Sequence, residues 1–192
     1  MTRRRSLRLL TGLMVAAVVL TGCASKKQAN ETLPSASANP STPALAPLGP
    51  KDLPMPAEAR TKDAAGAEAF VRYYIALINR TSTVMDAGPL RDFSQNCRDC
   101  DRIAKNIDED KHAGRTYRGG QITITQVAPP LVQDTSAKMV MRVDQSALTV
   151  LDSSGSPLPD LSSKAYPGLS GGATVLWTSA SKSWVVTALT LG

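Results

Sequence analysis

Three cysteines are the residues of this sequence whose type and spacing suggest specific chemistry. Cys97 and Cys100 form a CxxC pair within SQNCRDCDRIAKNID, residues 94–108, and Cys23 lies near the N-terminus. The CxxC spacing is used by thiol oxidoreductases, by zinc sites and by simple disulfides. Which chemistry applies depends on the surrounding elements and on the compartment in which the protein works.

The first 22 residues have the pattern of a bacterial secretory signal. Four arginines within residues 3–8 precede an apolar run, residues 9–20, which is shorter than the roughly 20 residues of a membrane-spanning helix. The run ends in Leu-Thr-Gly-Cys, which is similar to a lipobox. We therefore expect cleavage before Cys23, acylation of Cys23 with palmitate-type chains, and attachment to the outer, extracytoplasmic face of the cell membrane.

Removal of this signal changes the charge of the protein. The whole chain carries a net charge of +6, and the four arginines of the signal account for four of these charges, which leaves +2 for the remainder. The remaining basic residues are scattered among acidic ones and form no basic stripe. Composition therefore argues against nucleic acid as a partner.

The next segment, residues 23–60, is rich in Ala, Ser and Pro and has no hydrophobic period. Such a segment buries too little apolar surface to offset the entropy of ordering, so we interpret it as a disordered tether. Residues 61–192 then form a single globular domain. Asp63 is predicted to cap a first helix over residues 64–80, which Thr81–Thr83 end. Ser94 is predicted to cap a second helix that ends near Gly114.

After Gly120 the hydrophobic period changes from helical to alternating. Strands are predicted at residues 121–127, 137–143, 147–151, 173–178 and 184–191, with a long loop over 156–172. Helices followed by strands with short connections predict an α+β fold, in which the helices pack on a curved antiparallel sheet of four to five strands. The aromatic residues Tyr73, Tyr74 and Trp177 are candidates for lining a pocket between helix and sheet.

Several stretches resemble a family of actinobacterial lipoproteins, the domain of unknown function 6318. They are PMPAEA (54–59), GAEAFVRYYIALIN (66–79), CRDC (97–100) and YRGGQITIT (117–125). The resemblance implies a lipidated Cys23, a Pro-rich tether and the Cys97–Cys100 pair, and it implies no activity. The element order is also similar to the nuclear-transport-factor-2-like (NTF2-like) cone.

The sequence favours a disulfide for the CxxC pair. No buried strand precedes Gln95, as a thioredoxin-like redox site requires, and the chain lacks a second CxxC or paired histidines for zinc. Two exported cysteines that remain after lipidation pair most simply with each other. The single histidine, His112, lies in a charged run, and the chain has no nucleophile elbow, P-loop or dinucleotide motif, so no catalytic residue, metal or cofactor is predicted.

Three hypotheses about function follow. The first is a membrane-anchored, non-enzymatic domain that binds or scaffolds an envelope protein or a cell-wall component. The second is a small-ligand carrier or cone-type enzyme, which requires a closed apolar cavity with an acid such as Asp92 or Asp144 pointing inward. The third is an envelope thiol oxidoreductase that uses Cys97 and Cys100.

Overall fold

Three helices precede seven strands in residues 45–192, the part of the chain that the computed structural model describes. The helices are α1 (Ala64–Val84), α2 (Gly88–Asp92) and α3 (Arg98–His112). The strands are β1 (Thr116–Gly119), β2 (Ile122–Val127), β3 (Leu131–Gln133), β4 (Ser136–Gln145), β5 (Leu148–Leu151), β6 (Tyr166–Thr178) and β7 (Ser183–Leu191). Within these residues no helix combines the length and the apolar character needed to cross a membrane. The predicted signal and Cys23 lie outside the described residues.

Helix α1 begins where the sequence predicts. The Asp63 carboxylate accepts a hydrogen bond from the Gly66 N–H at 2.7 Å and so caps the first turn. The helix does not end at residues 81–83, however, because Thr81 is fully buried by tertiary packing, and the hydroxyls of Ser82 and Thr83 bond to carbonyls four residues back instead of competing for backbone groups outside the helix. It ends at Met85, which has a left-handed φ of 53°.

The start of α3 differs from the prediction in its capping residue. Cys97 is the N-cap, and its Sγ accepts a hydrogen bond from the Cys100 N–H at 3.3 Å. Ser94 instead donates its hydroxyl to the Leu90 carbonyl at 2.8 Å, because the short helix α2 occupies the preceding residues. At the other end, α3 stops two residues before Gly114.

The main sheet is antiparallel, with the order β2–β4–β6–β7, and β3 also pairs with β4. Strands β1 and β5 form a separate two-stranded sheet. Along β4 the side chains of Met139, Met141 and Val143 are buried, and the residues between them are exposed. Helix α1 packs on this buried face, so the predicted α+β class is confirmed.

Three strand segments were missed by the sequence analysis: β1, β3 and the first half of β6. Residues 166–172 read as loop because YPGLSGG contains few of the β-branched and aromatic residues that favour strands. In the structure this segment pairs with β4 from Tyr166 onward, and Gly171, opposite Met141, also pairs with Leu191 of β7. Pairing with β4, joined at Gly171 by pairing with β7, therefore overrides the weak local preference.

The compact unit begins at Leu45, whereas the sequence predicts a domain from residue 61. Met55 and Ala59 are buried in the core. The Arg60 guanidinium donates to the carbonyls of Ala46 at 2.6 Å and Ser181 at 2.9 Å, which holds this segment against the β6–β7 turn. The segment is rich in proline and has no hydrophobic period, so its sequence did not predict these few tertiary contacts.

Candidate functional site

The Cys97–Cys100 pair forms a disulfide, with the two Cα atoms 5.2 Å apart. Each cysteine is only 1% exposed. A disulfide exchanges when a thiolate reaches one of its sulfur atoms, and burial of both sulfur atoms blocks that approach. The geometry thus fits a brace at the start of α3 better than a redox site or a zinc site.

A cleft of about 330 Å³ lies between the second half of α1, helix α3 and the ends of β2, β4, β5 and β7. We call it the α1–α3 cleft. Its apolar lining consists of Ile78, Ile103, Ile107, Ile122, Leu148 and Leu191, and its polar lining of Ser82, Arg102, Asn106, Tyr117 and Gln145. This mixture, in a concave site, is typical of a pocket that binds a small molecule.

The sequence places these side chains through the helical period of α3 and the turn before β2. Ile103 and Ile107 are four residues apart and lie on one face of α3, with Asn106 beside them. Gly120 has a φ of +73°, and a Cβ on it would lie 2.9 Å from a Leu148 methyl carbon. Only glycine allows the chain to pass this close to Leu148, so Gly120 shapes the wall of the cleft.

The polar groups of the cleft are available to a ligand. Among the described residues, the side-chain amides of Asn106 and Gln145 make no hydrogen bond with the protein, and Arg102 bonds only to Asp99, at 3.3 Å. Arg102 is also the one charged residue in the lining. The cleft therefore offers an aliphatic floor beside hydrogen-bond donors and a positive charge.

Tyr117 lies between this cleft and a shallower one beside it. Its hydroxyl donates to the Asp110 carboxylate, which also accepts a hydrogen bond from Arg115 at 2.7 Å. Burial and the bond to Asp110 raise the pKa of Tyr117 above its ordinary value. Tyr117 thus stays protonated and joins the end of α3 to β1, so we assign it a structural role at the edge of the cleft.

The sequence matches the family of unknown function DUF6318 over residues 43–189. This range covers most of the chain and every helix and strand described above except the last two residues of β7. The chain belongs to this family. The predicted family resemblance is confirmed, and the match begins close to Leu45, where the compact unit begins.

Solved structures similar to the DUF6318 chain come from several kinds of protein. The intermembrane space region of the chloroplast protein ARC6 superposes with a TM-score of 0.52 and 14% identity, covering 68% of this chain and 97% of that one. An NTF2-like protein with a cystatin-like fold from Novosphingobium aromaticivorans gives a TM-score of 0.33 at 17% identity, over 67% of this chain and 88% of that one. At such identities the likeness to ARC6 concerns the fold alone. No curated protein sequence matches the chain.

The aromatic residues predicted to line a pocket lie elsewhere in the DUF6318 fold. Tyr73 and Tyr74 are 5% and 1% exposed, and burial raises the pKa of each to about 12. Trp177 packs edge-on against Trp184, with ring centroids 5.3 Å apart. The correction arises because α1 lies on the sheet here, so Tyr73 and Tyr74 are core residues and Trp177 packs, partly buried, against that core.

The acids required by the carrier hypothesis do not point into the core either. Asp92 is exposed at the end of α2. Asp144 lies on the face of the sheet opposite the helices and accepts a hydrogen bond from the Gly168 N–H at 2.7 Å. His112 is exposed, with its Nδ1 2.7 Å from the Asp108 carbonyl oxygen. Cys23, the predicted lipid attachment site, lies outside the described residues.

Sequence reasoning missed the polar residues that the structure brings together, namely Arg102, Asn106 and Gln145. The one available signal was the apolar spacing of Ile103 and Ile107 on the second helix, since Arg102 and Asn106 adjoin them. Nothing local in the sequence shows that a cleft lies between α3, α1 and the ends of the strands. Within residues 45–192, no three His, Cys, Asp or Glu side chains form a group suited to a metal ion.

Proposed function

We propose that this protein is a lipid-anchored, exported, non-enzymatic domain that binds an amphipathic ligand of the cell envelope in the α1–α3 cleft. The observation that carries this proposal is the composition of the cleft. Its aliphatic floor suits a hydrocarbon or side-chain body, and Arg102, Asn106 and Gln145 suit a carboxylate or amide head group. The lining contains no carboxylate, histidine or thiol that would supply acid–base or nucleophilic chemistry.

Two further features support export and anchoring as parts of this proposal. The lipobox-like Leu-Thr-Gly-Cys at residues 20–23 follows a basic and apolar leader. The Cys97–Cys100 pair, held as a buried disulfide, also suits an extracytoplasmic compartment. The proposed partners are thus the membrane, through acylated Cys23, and an envelope protein or wall component that presents an aliphatic group beside a polar one.

The test is a calorimetric titration of the purified protein with decanoate, decanamide and decylamine. We expect saturable binding of decanoate and decanamide and weaker binding of decylamine, because Arg102 repels a cation. Asn106→Trp fills the cleft and should weaken binding at least about tenfold. Lys105→Trp, on the exposed side of the same helix, is the matched control and should bind as the original protein does.

Two results would contradict this proposal. One is the absence of saturable binding with all three probes. The other is equal binding by the Asn106→Trp and Lys105→Trp variants, which would locate the ligand outside the cleft. A preference for decylamine would contradict the role given to Arg102.

A further inference from the structure

Strand β2 is an outer strand of the main sheet, and part of its free edge is open. The Ser146 N–H donates to the Gln121 carbonyl at 2.9 Å, so this pair is hydrogen-bonded across the ladder. Successive residues of an antiparallel strand direct their N–H and C=O groups alternately toward and away from the neighbouring strand. Ile122 and Ile124, opposite Gln145 and Val143, therefore direct both groups away from β4.

A side-chain amide already occupies the first of these two positions. The Asn79 Nδ2 of α1 donates to the Ile122 carbonyl, and the Ile122 N–H donates to the Asn79 Oδ1, both at 2.8 Å. The Asn79 side-chain amide donates one hydrogen bond and accepts another, as the backbone of an adjoining strand would. The edge is thus shaped to pair with a peptide group, and Asn79 covers Ile122 only.

The second of these two residues, Ile124, borders a groove between α1 and β2. The groove has a volume of about 260 Å³, and Ile124 lies in its wall together with Ile75, Ala76 and Arg72 of α1. No described residue bonds to the outward N–H and C=O of Ile124. The small side chain of Ala76 leaves room above this edge, and the volume is sufficient for one or two aliphatic side chains. It shares only Ile122 with the α1–α3 cleft.

We propose that this groove binds an extended polypeptide segment of a partner protein, which adds as a strand to the free edge of β2. The segment exchanges a pair of backbone hydrogen bonds with Ile124 and places an aliphatic side chain between Ile75 and Ala76. Unpaired strand edges bind partners in this way, since main-chain bonds supply affinity and the flanking pocket supplies specificity. Pro129 and Pro130 follow β2 and lack N–H donors, so they limit the length of edge available for pairing.

This inference is independent of the proposed cleft function, because the linings of the two sites share no residue except Ile122. The probe is a phage-displayed library of random twelve-residue peptides, selected on the purified full-length protein. We expect the selected peptides to share an aliphatic residue and to protect the Ile124 amide from hydrogen exchange at least about tenfold.

Matched arginine substitutions on α1 locate the site. Ala76→Arg fills the groove and should abolish binding of the selected peptides, whereas Ala65→Arg, in an exposed part of the same helix, should not alter it. Circular dichroism confirms that both variants are folded. The proposal is overturned if no peptide is recovered, if Ala76→Arg still binds, or if the Ile124 amide stays unprotected. Concentration-dependent dimerisation that Ala76→Arg abolishes would also overturn it, since the occupant would then be a second copy of this chain.

Discussion

Cys97 has two roles at the start of α3, as a disulfide partner and as the N-cap of the helix. Both act on the same turn, so the bond braces the helix that carries Arg102 and Asn106 into the cleft. Because the loop closed by the bond is short, the constraint on the unfolded chain is modest. Cys97 therefore matters mainly for local order around the cleft.

We predict that the double substitution Cys97→Ser and Cys100→Ser lowers the free energy of unfolding by about 2 kcal/mol, the value expected for so short a loop. The measurement is urea denaturation with and without reductant. Reductant should destabilise the original protein and leave the variant unchanged, which serves as the control. A potential of about −120 to −230 mV for the pair, the range of working oxidoreductases, would contradict a structural role, for which we expect a value below about −300 mV.

At the scale of elements, α1 positions the rest of the fold through contacts at both of its faces. One face supplies Phe70, Tyr74 and Leu77 to the core, where they are at most 1% exposed. On another side of the helix, the Asn79 side chain bonds to Ile122 at the edge of β2. The Arg80 guanidinium donates two hydrogen bonds to the Asp52 carboxylate, from Nε at 2.7 Å and from Nη2 at 3.0 Å. The bond to Arg80 holds the pKa of Asp52 below its ordinary value. Helix α1 thus joins the N-terminal segment, the core and the sheet edge.

We predict that Asn79→Leu costs about 1–3 kcal/mol of stability, because it leaves the N–H and C=O of Ile122 without their partner. Denaturant unfolding measures the change. The matched control is Thr83→Val on the same helix, whose hydroxyl bonds only to a carbonyl of its own helix. Its effect should stay within about 0.5 kcal/mol. Equal effects of the two substitutions would show that the Asn79 bonds to β2 contribute little.

At the scale of the whole molecule, the chain enters the compact unit at the end of the sheet opposite the cleft. Arg60 holds Ala46 and Ser181 together beside the β6–β7 turn, and Leu191 at the other end of β7 lines the cleft. Nine residues of strand separate the two ends, roughly 25–30 Å. The N-terminal segment of the described unit thus leaves the cleft uncovered, which is compatible with the proposed N-terminal anchor.

We predict that Cys23→Ser abolishes incorporation of an alkyne-labelled fatty acid and releases the protein from the membrane fraction, because Cys23 is the proposed acylation site. Labelling of intact cells followed by fractionation measures both effects. The Cys97→Ser and Cys100→Ser double variant is the control and should retain its label. Persistence of the label on the Cys23→Ser variant would refute attachment at this residue.

Local features of the sequence were sufficient for much of the fold. The cap at Asp63, the apolar face of α1 and the alternation in β2 and β4 each involve residues near one another in the chain, and the structure reproduces them. The match to DUF6318 likewise agrees with stretches that the sequence alone marked. These features are readable because helix caps and hydrophobic periods depend on neighbouring residues.

The rest depended on contacts between distant residues. Only the packing of α1 on the sheet makes Tyr73 and Tyr74 core residues, and only the placement of α3 beside α1 and the strand ends forms a cleft at Asn106 and Gln145. The ordering of residues 45–60 and the strand at 166–172 follow from hydrogen bonds to partners far along the chain. The sequence by itself determined the main helices, most of the strands and the α+β class. Tertiary structure decided which side chains face a partner, a ligand or the core, because that depends on how the elements are placed against one another.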